Sequence, residues 1–467
     1  FASQLAVALV RARRHRQKGR AIVGTGALTS RVEAALGFAL TGSQRLAIAE
    51  IASEMAQPRR MVRLLQGDVG SGKTVVALLA MLTAIEGGGQ AVLMAPTEIL
   101  ARQHHATLQR HADAARVEIG FLTGREKGRA RASMLASLAS GLTPAVVGTH
   151  ALLQPDVAFR DLALIVIDEQ HRFGVEQRLG LHAKGRDADT LLMSATPIPR
   201  TLMMTAYGDL DVSRLTEKPP GRRPIDTRSV VLDRIDDVTA ALGRAIAGGA
   251  KAYWICPIVE ESETDDLAAA QERYAALAAL WPGRVGLVHG RMRTAEKDRV
   301  MAGFAEGAID VLVATTVVEV GVDVPDATIM VVERAERFGL AQLHQLRGRI
   351  GRGNKASTCL LLYRPPLGEV AKRRLQTMRE TEDGFLIAEE DLRLRGAGEV
   401  LGTRQSGLPS LRLADLAAHQ GLIALAHDDA RLVLDRDPHL ESKRGRALRI
   451  LLYLFRRDEA VQYLRAG

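Results

Sequence analysis

Residues Gly67-Asp68-Val69-Gly70-Ser71-Gly72-Lys73-Thr74 place three glycines, a lysine and a hydroxyl at the spacing of a phosphate-binding loop. Glycines let backbone N–H groups curl around phosphate oxygens, and the helix expected to begin at Lys73 adds the positive end of its dipole. Lys73 is expected to reach the β- and γ-phosphates of ATP, and the Thr74 hydroxyl to ligate Mg²⁺. A second chemical pair, Asp168 and Glu169, ends the apolar run LALIVID at 162–168. Alone, such a pair suits a helix cap. Beside a phosphate loop it reads as a Mg²⁺ carboxylate at Asp168 and a residue, Glu169, that orients or deprotonates the attacking water. Arg349 and Arg352 lie three apart, on one face of an expected helix, with Gly348 and Gly351 permitting close approach. Guanidinium groups there could neutralise charge developing on a γ-phosphate, an effect of ~10³–10⁵ in rate. Arg-Gly segments also bind phosphodiester backbones without hydrolysis. The ATP chemistry elsewhere in the chain favours arginine fingers.

These groups need a scaffold that brings distant segments together. Between residues 38 and 216, short apolar runs (MVRLLQ 61–66, AVLMA 91–95, AVVGT 145–149, LALIVID 162–168, TLLMSA 190–195) alternate with helical patterns. That alternation predicts an α/β unit with a parallel sheet covered on both faces. Glu217-Lys-Pro-Pro-Gly-Arg-Arg-Pro224 can continue neither a helix nor a central strand, so a linker is placed there. A second α/β unit follows over 225–365, with strands expected at 227–232, 251–256, 285–290, 311–316, 328–333 and 357–363. Residues 1–37 read as a helical segment, and the basic run Arg11–Arg20 as mainly a solvated helix face. Residues 366–410 read as a charged helical pair followed by a glycine-bearing loop, and 411–467 as a tail of amphipathic helices. The chain opens on Phe1 and is expected to be a fragment of something longer.

Composition bounds the partners. Lys and Arg number 63 against 54 Asp and Glu, giving a net charge of +9 and a pI near 9.8. This suits a polyanionic partner, although solubility alone would explain as much. Two cysteines, Cys256 and Cys359, are too few for a disulfide framework or a zinc site and fit a reducing cytoplasm. No run approaches the ~18 apolar residues of a membrane helix.

The motifs, in their order, resemble those of superfamily 2 helicases. Asp168-Glu169-Gln170-His171 resembles motif II. Ala95-Pro-Thr-Glu98 and Gly148-Thr-His150 resemble motifs Ia and Ib, which contact the nucleic-acid backbone. Ser194-Ala-Thr196 resembles motif III, Leu287–Arg291 motif IV, Ala314–Asp323 motif V and Gln345–Arg352 motif VI. Phe38–Gln44 stands where a Q-type motif reads adenine, with Gln44 the reader. The extended blocks Asp168–Val175 and Ser194–Thr201 resemble the RecG helicase family, and Asp391–Gln405 resembles its TRG (translocation in RecG) motif. The resemblance implies two tandem RecA-like domains with a helical C-terminal extension. It also implies an ATP- and Mg²⁺-dependent double-stranded-DNA translocase that remodels stalled replication forks and Holliday junctions. It further implies that Ser194, Thr196, Gln345, Arg395 and Gln405 couple ATP state to DNA movement. Branched and duplex DNA, and a single-stranded-DNA-binding protein, are the expected partners of a monomer. RecG helicases carry an N-terminal wedge domain with an OB-fold, which is expected to be missing from this sequence and to which strand separation would fall. Two other readings stand beside this one. One is the motor of a transcription-repair coupling factor, against which Gln170 weighs because that family usually has Glu there. The other is a nucleotide-gated DNA clamp, which would not need Glu169, Arg349 or Arg352.

Overall fold

The computed structural model describes residues 1–16, 19–169, 184–185, 187–195, 199, 203, 210–219, 221–257, 263–315, 324, 326–353, 355–400 and 419–455. Gln170, His171, Thr196 and Gln405 lie outside them. The chain begins with helices α1 (Ala2–Arg16) and α2 (Ala27–Ala35). The first α/β unit follows as α3 (Gly42–Met55), β1 (Val62–Gly67), α4 (Lys73–Glu86), β2 (Gln90–Met94), α5 (Glu98–Ala112), β3 (Ile119–Leu122), α6 (Gly128–Ser140), β4 (Ala145–Gly148), β5 (Leu162–Ile167), β6 (Asp189–Ser194) and β7 (Asp211–Leu215). The second holds β8 (Ile225–Val231), α7 (Ile235–Ala247), β9 (Lys251–Ile255), α8 (Glu263–Leu280), β10 (Val285–Val288), α9 (Thr294–Glu306), β11 (Val311–Ala314), β12 (Ala327–Val332), α10 (Leu340–Arg347) and β13 (Ser357–Tyr363). Four helices complete the described chain: α11 (Glu369–Glu380), α12 (Gly384–Val400), α13 (Gln420–Arg436) and α14 (Lys443–Leu454).

The first sheet runs β3-β4-β2-β5-β6-β1-β7 and the second β10-β11-β9-β12-β13-β8, with every described pairing parallel. Parallel strands joined by helices are covered on both faces, so their side chains must be apolar on both. In β5 all six residues are buried. Alternation sends Leu164 and Val166 into one core and Ile165 and Ile167 into the other. In the second sheet, Tyr253 and Ile255 face one core and Ala252 and Trp254 the other. Helix α4 is apolar nearly all round and is sunk in the first core. Each fully buried Leu, Ile or Val contributes roughly 1.5–3 kcal/mol, so these cores fix the strand register firmly.

Register then decides what meets at the carboxyl edge. Gln66 of β1 pairs with Ser194 of β6, and Ile167 of β5 with Met94 of β2. Gly67, Ala95, Asp168 and Ala195 therefore emerge side by side, where ligands of open parallel sheets collect.

The opposite edge of β6 carries a different constraint. Asp189 is fully buried, Oδ1 accepts the Met61 N–H at 2.7 Å, and Oδ2 has no partner. Burial, with Glu54 nearby, raises its carboxyl to about 7 from an ordinary 3.8. The folded state thus holds a proton that the unfolded chain releases. Its contribution is complete below about 3.8 and is lost as pH rises toward 7, with a ceiling of about 4 kcal/mol for that gap. Asp189→Asn keeps the acceptor without the charge. Denaturation at pH 5 and pH 8 should find the variant gaining stability over the parent as pH rises. An unchanged difference at both pH values would show that Asp189 is ionised in the fold.

Candidate functional site

The loop after β1 turns twice through left-handed backbone, at Gly70 (φ 76°) and Gly72 (φ 86°), before α4 begins. Both positions are also crowded. A Cβ on Gly70 would lie 2.0 Å from Nη2 of Arg222, and one on Gly72 would lie 2.2 Å from Nε2 of Gln44. Gln44 is buried and forms a capping box with Thr41 at the start of α3. Its Oε1 accepts the Thr41 N–H at 2.8 Å, while its Nε2 donates to the Ser71 carbonyl at 2.8 Å. Lys73 folds back on the loop, its Nζ donating to the carbonyls of Gly67 (2.7 Å) and Asp68 (2.8 Å). Burial lowers the affinity of this ammonium for its proton, while Asp168, Glu169 and Asp68 oppose that effect and Arg352 adds to it. Ser71 Oγ is buried without a hydrogen-bond partner.

Asp168 extends the β2–β5 pairing by donating its N–H to the Met94 carbonyl at 3.0 Å. Its Oδ2 accepts from His104 Nε2 at 2.7 Å, and its Oδ1 accepts the Glu169 N–H at 3.0 Å. Burial would raise this carboxyl, but His104, Lys73 and the Glu169 N–H together hold it below the ordinary range. Glu169 itself sits in left-handed backbone at φ 50°, a conformation costing a non-glycine residue roughly 1–2 kcal/mol.

The second unit closes the other side. After α10 the chain turns at Gly348, where a Cβ would stand 2.9 Å from the Val69 Cβ, so glycine here allows direct packing on the loop. Gly351, at φ 70°, packs instead on Ile225 of its own unit. Arg352 Nε donates to the Gly348 carbonyl at 3.2 Å. A cleft of about 540 Å³ results, in which Lys73, Thr74, Asp168 and Glu169 face Gln345, Arg349 and Arg352. Among the described residues, Lys73, Arg222, Arg349 and Arg352 beside a glycine loop, with the carboxylates of Asp168 and Glu169, suit a polyphosphate and a hard divalent ion. Among the described residues no cluster of three or more His, Cys, Asp or Glu could cage a metal by itself.

Of the residues singled out for coupling, Ser194 is buried at the end of β6 and Gln345 lines the cleft. Arg395 falls on the backbone of α12, which runs through Gly396 and Gly398 to Val400, rather than in the expected loop. Two contributors were not legible beforehand, nor were the distant contacts of Asp68. His104 reaches Asp168 from α5, and Arg222 enters the cleft from the linker. Asp68 meets the other side of the molecule: Oδ1 accepts from His344 Nε2 at 3.2 Å and Oδ2 from the Gly384 N–H at 3.3 Å. Burial would raise the Asp68 carboxyl, but the His344 hydrogen bond, with help from Gly384 and Lys73, leaves it below the ordinary range.

The DEAD/DEAH box helicase family matches residues 41–205, the helicase conserved C-terminal domain residues 237–354, and the family "ATP-dependent DNA helicase RecG, domain 3, C-terminal" residues 381–459. The ATP-dependent DNA helicase RecG of Acidithiobacillus ferridurans is 50% identical over 94% of this chain and 64% of its own length. RecG of Escherichia coli K12 is 48% identical, over 94% and 64%. RecG of Pasteurella multocida is 49% identical, over 89% and 61%. The chain thus spans less than two thirds of the curated relatives that it matches. A solved structure of RecG bound to a three-way DNA junction superposes with a TM-score of 0.75 at 42% identity, covering 90% of this chain and 56% of that one. S. cerevisiae Dbp5 bound to RNA and ADP BeF3 shares the fold, with a TM-score of 0.58 at 19% identity over 76% of this chain and 91% of its own.

Proposed function

This chain belongs to the RecG family of ATP-dependent DNA helicases, and from that premise we propose that it is an ATP-driven motor on duplex DNA that remodels branched DNA such as stalled forks and Holliday junctions. The observation that carries the reading is the cleft itself, in which Lys73, Asp168 and Glu169 of one sheet face Arg349 and Arg352 of the other. The solved relative, RecG bound to a three-way DNA junction, supports the substrate class.

The residues fit ATP with Mg²⁺. The unpartnered Ser71 Oγ and the crowded, left-handed Gly70 and Gly72 form a cradle that a side chain would fill. Thr74 and Asp168 would hold Mg²⁺, which when bound neutralises phosphate charge. Lys73 would exchange its two carbonyl partners for phosphate oxygens. Glu169 would hold the attacking water, and the low proton affinity of Asp168 keeps that group an anion at neutral pH. Gln44 would read adenine from beside Ser71. Because the phosphate-binding loop and Arg349 and Arg352 come from different sheets, ATP would favour the closed arrangement, and loss of the γ-phosphate would release it. Ser194, Thr196, Gln345, Arg395 and Gln405 would pass that change to the DNA. The motor would act as a monomer in the cytoplasm, with a single-stranded-DNA-binding protein as a partner.

A translocase must grip phosphates without regard to sequence, so affinity for duplex DNA should fall steeply with salt. ATP turnover should rise on duplex, forked and four-way DNA and stay low without DNA. Turnover indifferent to every DNA, with nucleotide binding intact, would sink the motor reading and leave the clamp.

A further inference from the structure

The segment joining the two sheets is more than a tether. At its first end the carboxylate of Glu217 accepts the N–H groups of Gly42 (3.0 Å) and Ser43 (2.8 Å), fastening it to the start of α3. The next residue, Lys218, pairs with Glu382, and Glu382 also accepts the N–H of Ile225 at the other end, so both ends are fastened to the turn between α11 and α12. Arg222 lies between these anchors. Its guanidinium sits directly against Gly70 in the phosphate loop, and Nη1 makes a long hydrogen bond of 3.3 Å to the Val69 carbonyl.

Two features argue that this position serves the ligand rather than the loop. The bond to Val69 is weak, whereas a guanidinium meeting a phosphate forms short, charge-assisted and often paired bonds. The cleft also has a charge balance to meet. Among the described residues its lining holds four cations, Lys73, Arg222, Arg349 and Arg352, and two carboxylates, Asp168 and Glu169. The positive charge of the cations suits the net negative charge of a triphosphate with one Mg²⁺. Arg222 supplies part of it.

We propose that Arg222 is a nucleotide-phosphate ligand, carried into the cleft by the linker and acting beside Lys73 and the two arginines of the second sheet. The proposal rests on the cleft being the ATP site and deepens that reading. It makes phosphate occupancy bear on the linker, whose anchors are the α3 start on one side and the α11–α12 turn on the other.

The test measures equilibrium binding of a non-hydrolysable triphosphate analogue and of ADP, with kcat, KM and melting temperature, for the whole chain and for Arg222→Ala, Arg222→Lys and Lys73→Ala. Arg222→Ala should weaken triphosphate binding about tenfold and raise KM accordingly, with a smaller loss for ADP and an unchanged melting temperature. Arg222→Lys should recover part of the loss, because a charge remains while the fork is gone. Triphosphate affinity unchanged in Arg222→Ala but abolished in Lys73→Ala would overturn the proposal and keep the ATP site. Equal losses in the alanine and lysine variants, for ADP as much as for triphosphate and with a lowered melting temperature, would make Arg222 a structural clamp on Val69 and also overturn it. Binding unaffected by Lys73→Ala would fail the ATP reading itself.

Discussion

Arg349→Ala should lower ATP turnover on duplex DNA by about three orders of magnitude while changing nucleotide affinity less than about tenfold. The asymmetry follows from where the charge sits. In the ground state the triphosphate would be held by the loop N–H groups, Lys73, a Mg²⁺ ion and, on the proposal above, Arg222, none of them from the second sheet. Charge that grows on the γ-phosphate oxygens during transfer has to be met from outside, and Arg349 stands in the same cleft on a turn that packs against Val69. Arg352 has its Nε bonded to the Gly348 carbonyl and so shares the position of that turn. Its replacement should cost both binding and turnover. Lysine at 349 should rescue poorly, since one ammonium cannot reproduce a planar fork. Single-turnover hydrolysis at saturating ATP, beside a binding isotherm, checks this. Turnover within a few-fold of the parent, with DNA affinity lost instead, would make Arg349 a contact to the DNA backbone.

The sequence was most readable where function is contiguous. A glycine loop after an apolar run and before a helical one declares itself within eight residues, and the structure turns at Gly70 and Gly72 as the pattern requires. Central strands such as LALIVI are equally plain, because burial on both faces permits no polar residue. The edge strands β3 and β7 were missed. Ile119–Leu122 is only four residues long and is interrupted by Gly120, placed there because a Cβ would press on Met134 and Thr143. Asp211–Leu215 alternates buried Ser213 and Leu215 with an exposed Arg214, a pattern too short and polar to separate from loop. At the site, what could not be read was pairing across distance. Nothing local to His104 points to Asp168, 64 residues on, and nothing in the linker's prolines says that Arg222 will overlie the loop. The end of the helical pair was placed too early for a different reason: glycines suggested a loop from about 396, yet the cost of about 1 kcal/mol for a helical glycine did not stop α12 before Val400.

Gly384→Ala should abolish most of the stimulation of ATP turnover by DNA, a loss of about tenfold or more, while turnover without DNA persists. Gly384 opens α12, and its N–H is bonded to Asp68 in the phosphate loop. A Cβ there would lie 1.9 Å from Asp68 Oδ1 and 2.6 Å from His344 Nε2, so the bonds that join loop, α10 and α12 could not coexist with it. The chain of contacts continues. Arg347 can only donate, so its 3.2 Å approach to His344 Nδ1 makes that nitrogen the acceptor and leaves the proton on Nε2, facing Asp68. Arg347 in turn donates to the carbonyls of Met378 (2.6 Å) and Thr381 (3.0 Å) at the end of α11. One carboxylate in the phosphate loop thus holds both arms of the helical pair, one directly and one through two side chains. When Lys73 leaves the Asp68 carbonyl for a phosphate, the loop that carries this carboxylate is free to shift, and α11 and α12 are the elements bound to it. Intrinsic propensity makes the substitution a sharp test. Alanine normally favours a helix over glycine by about 0.5–1 kcal/mol, so a variant judged by helix formation alone should be neutral or improved. His344→Gln, which removes the link to Arg347 without adding a Cβ at 384, should weaken the DNA response more mildly. ATPase assays with and without duplex DNA, run beside thermal melts, separate the cases. Full DNA stimulation in Gly384→Ala would mean that the phosphate loop and the helical pair touch without being coupled.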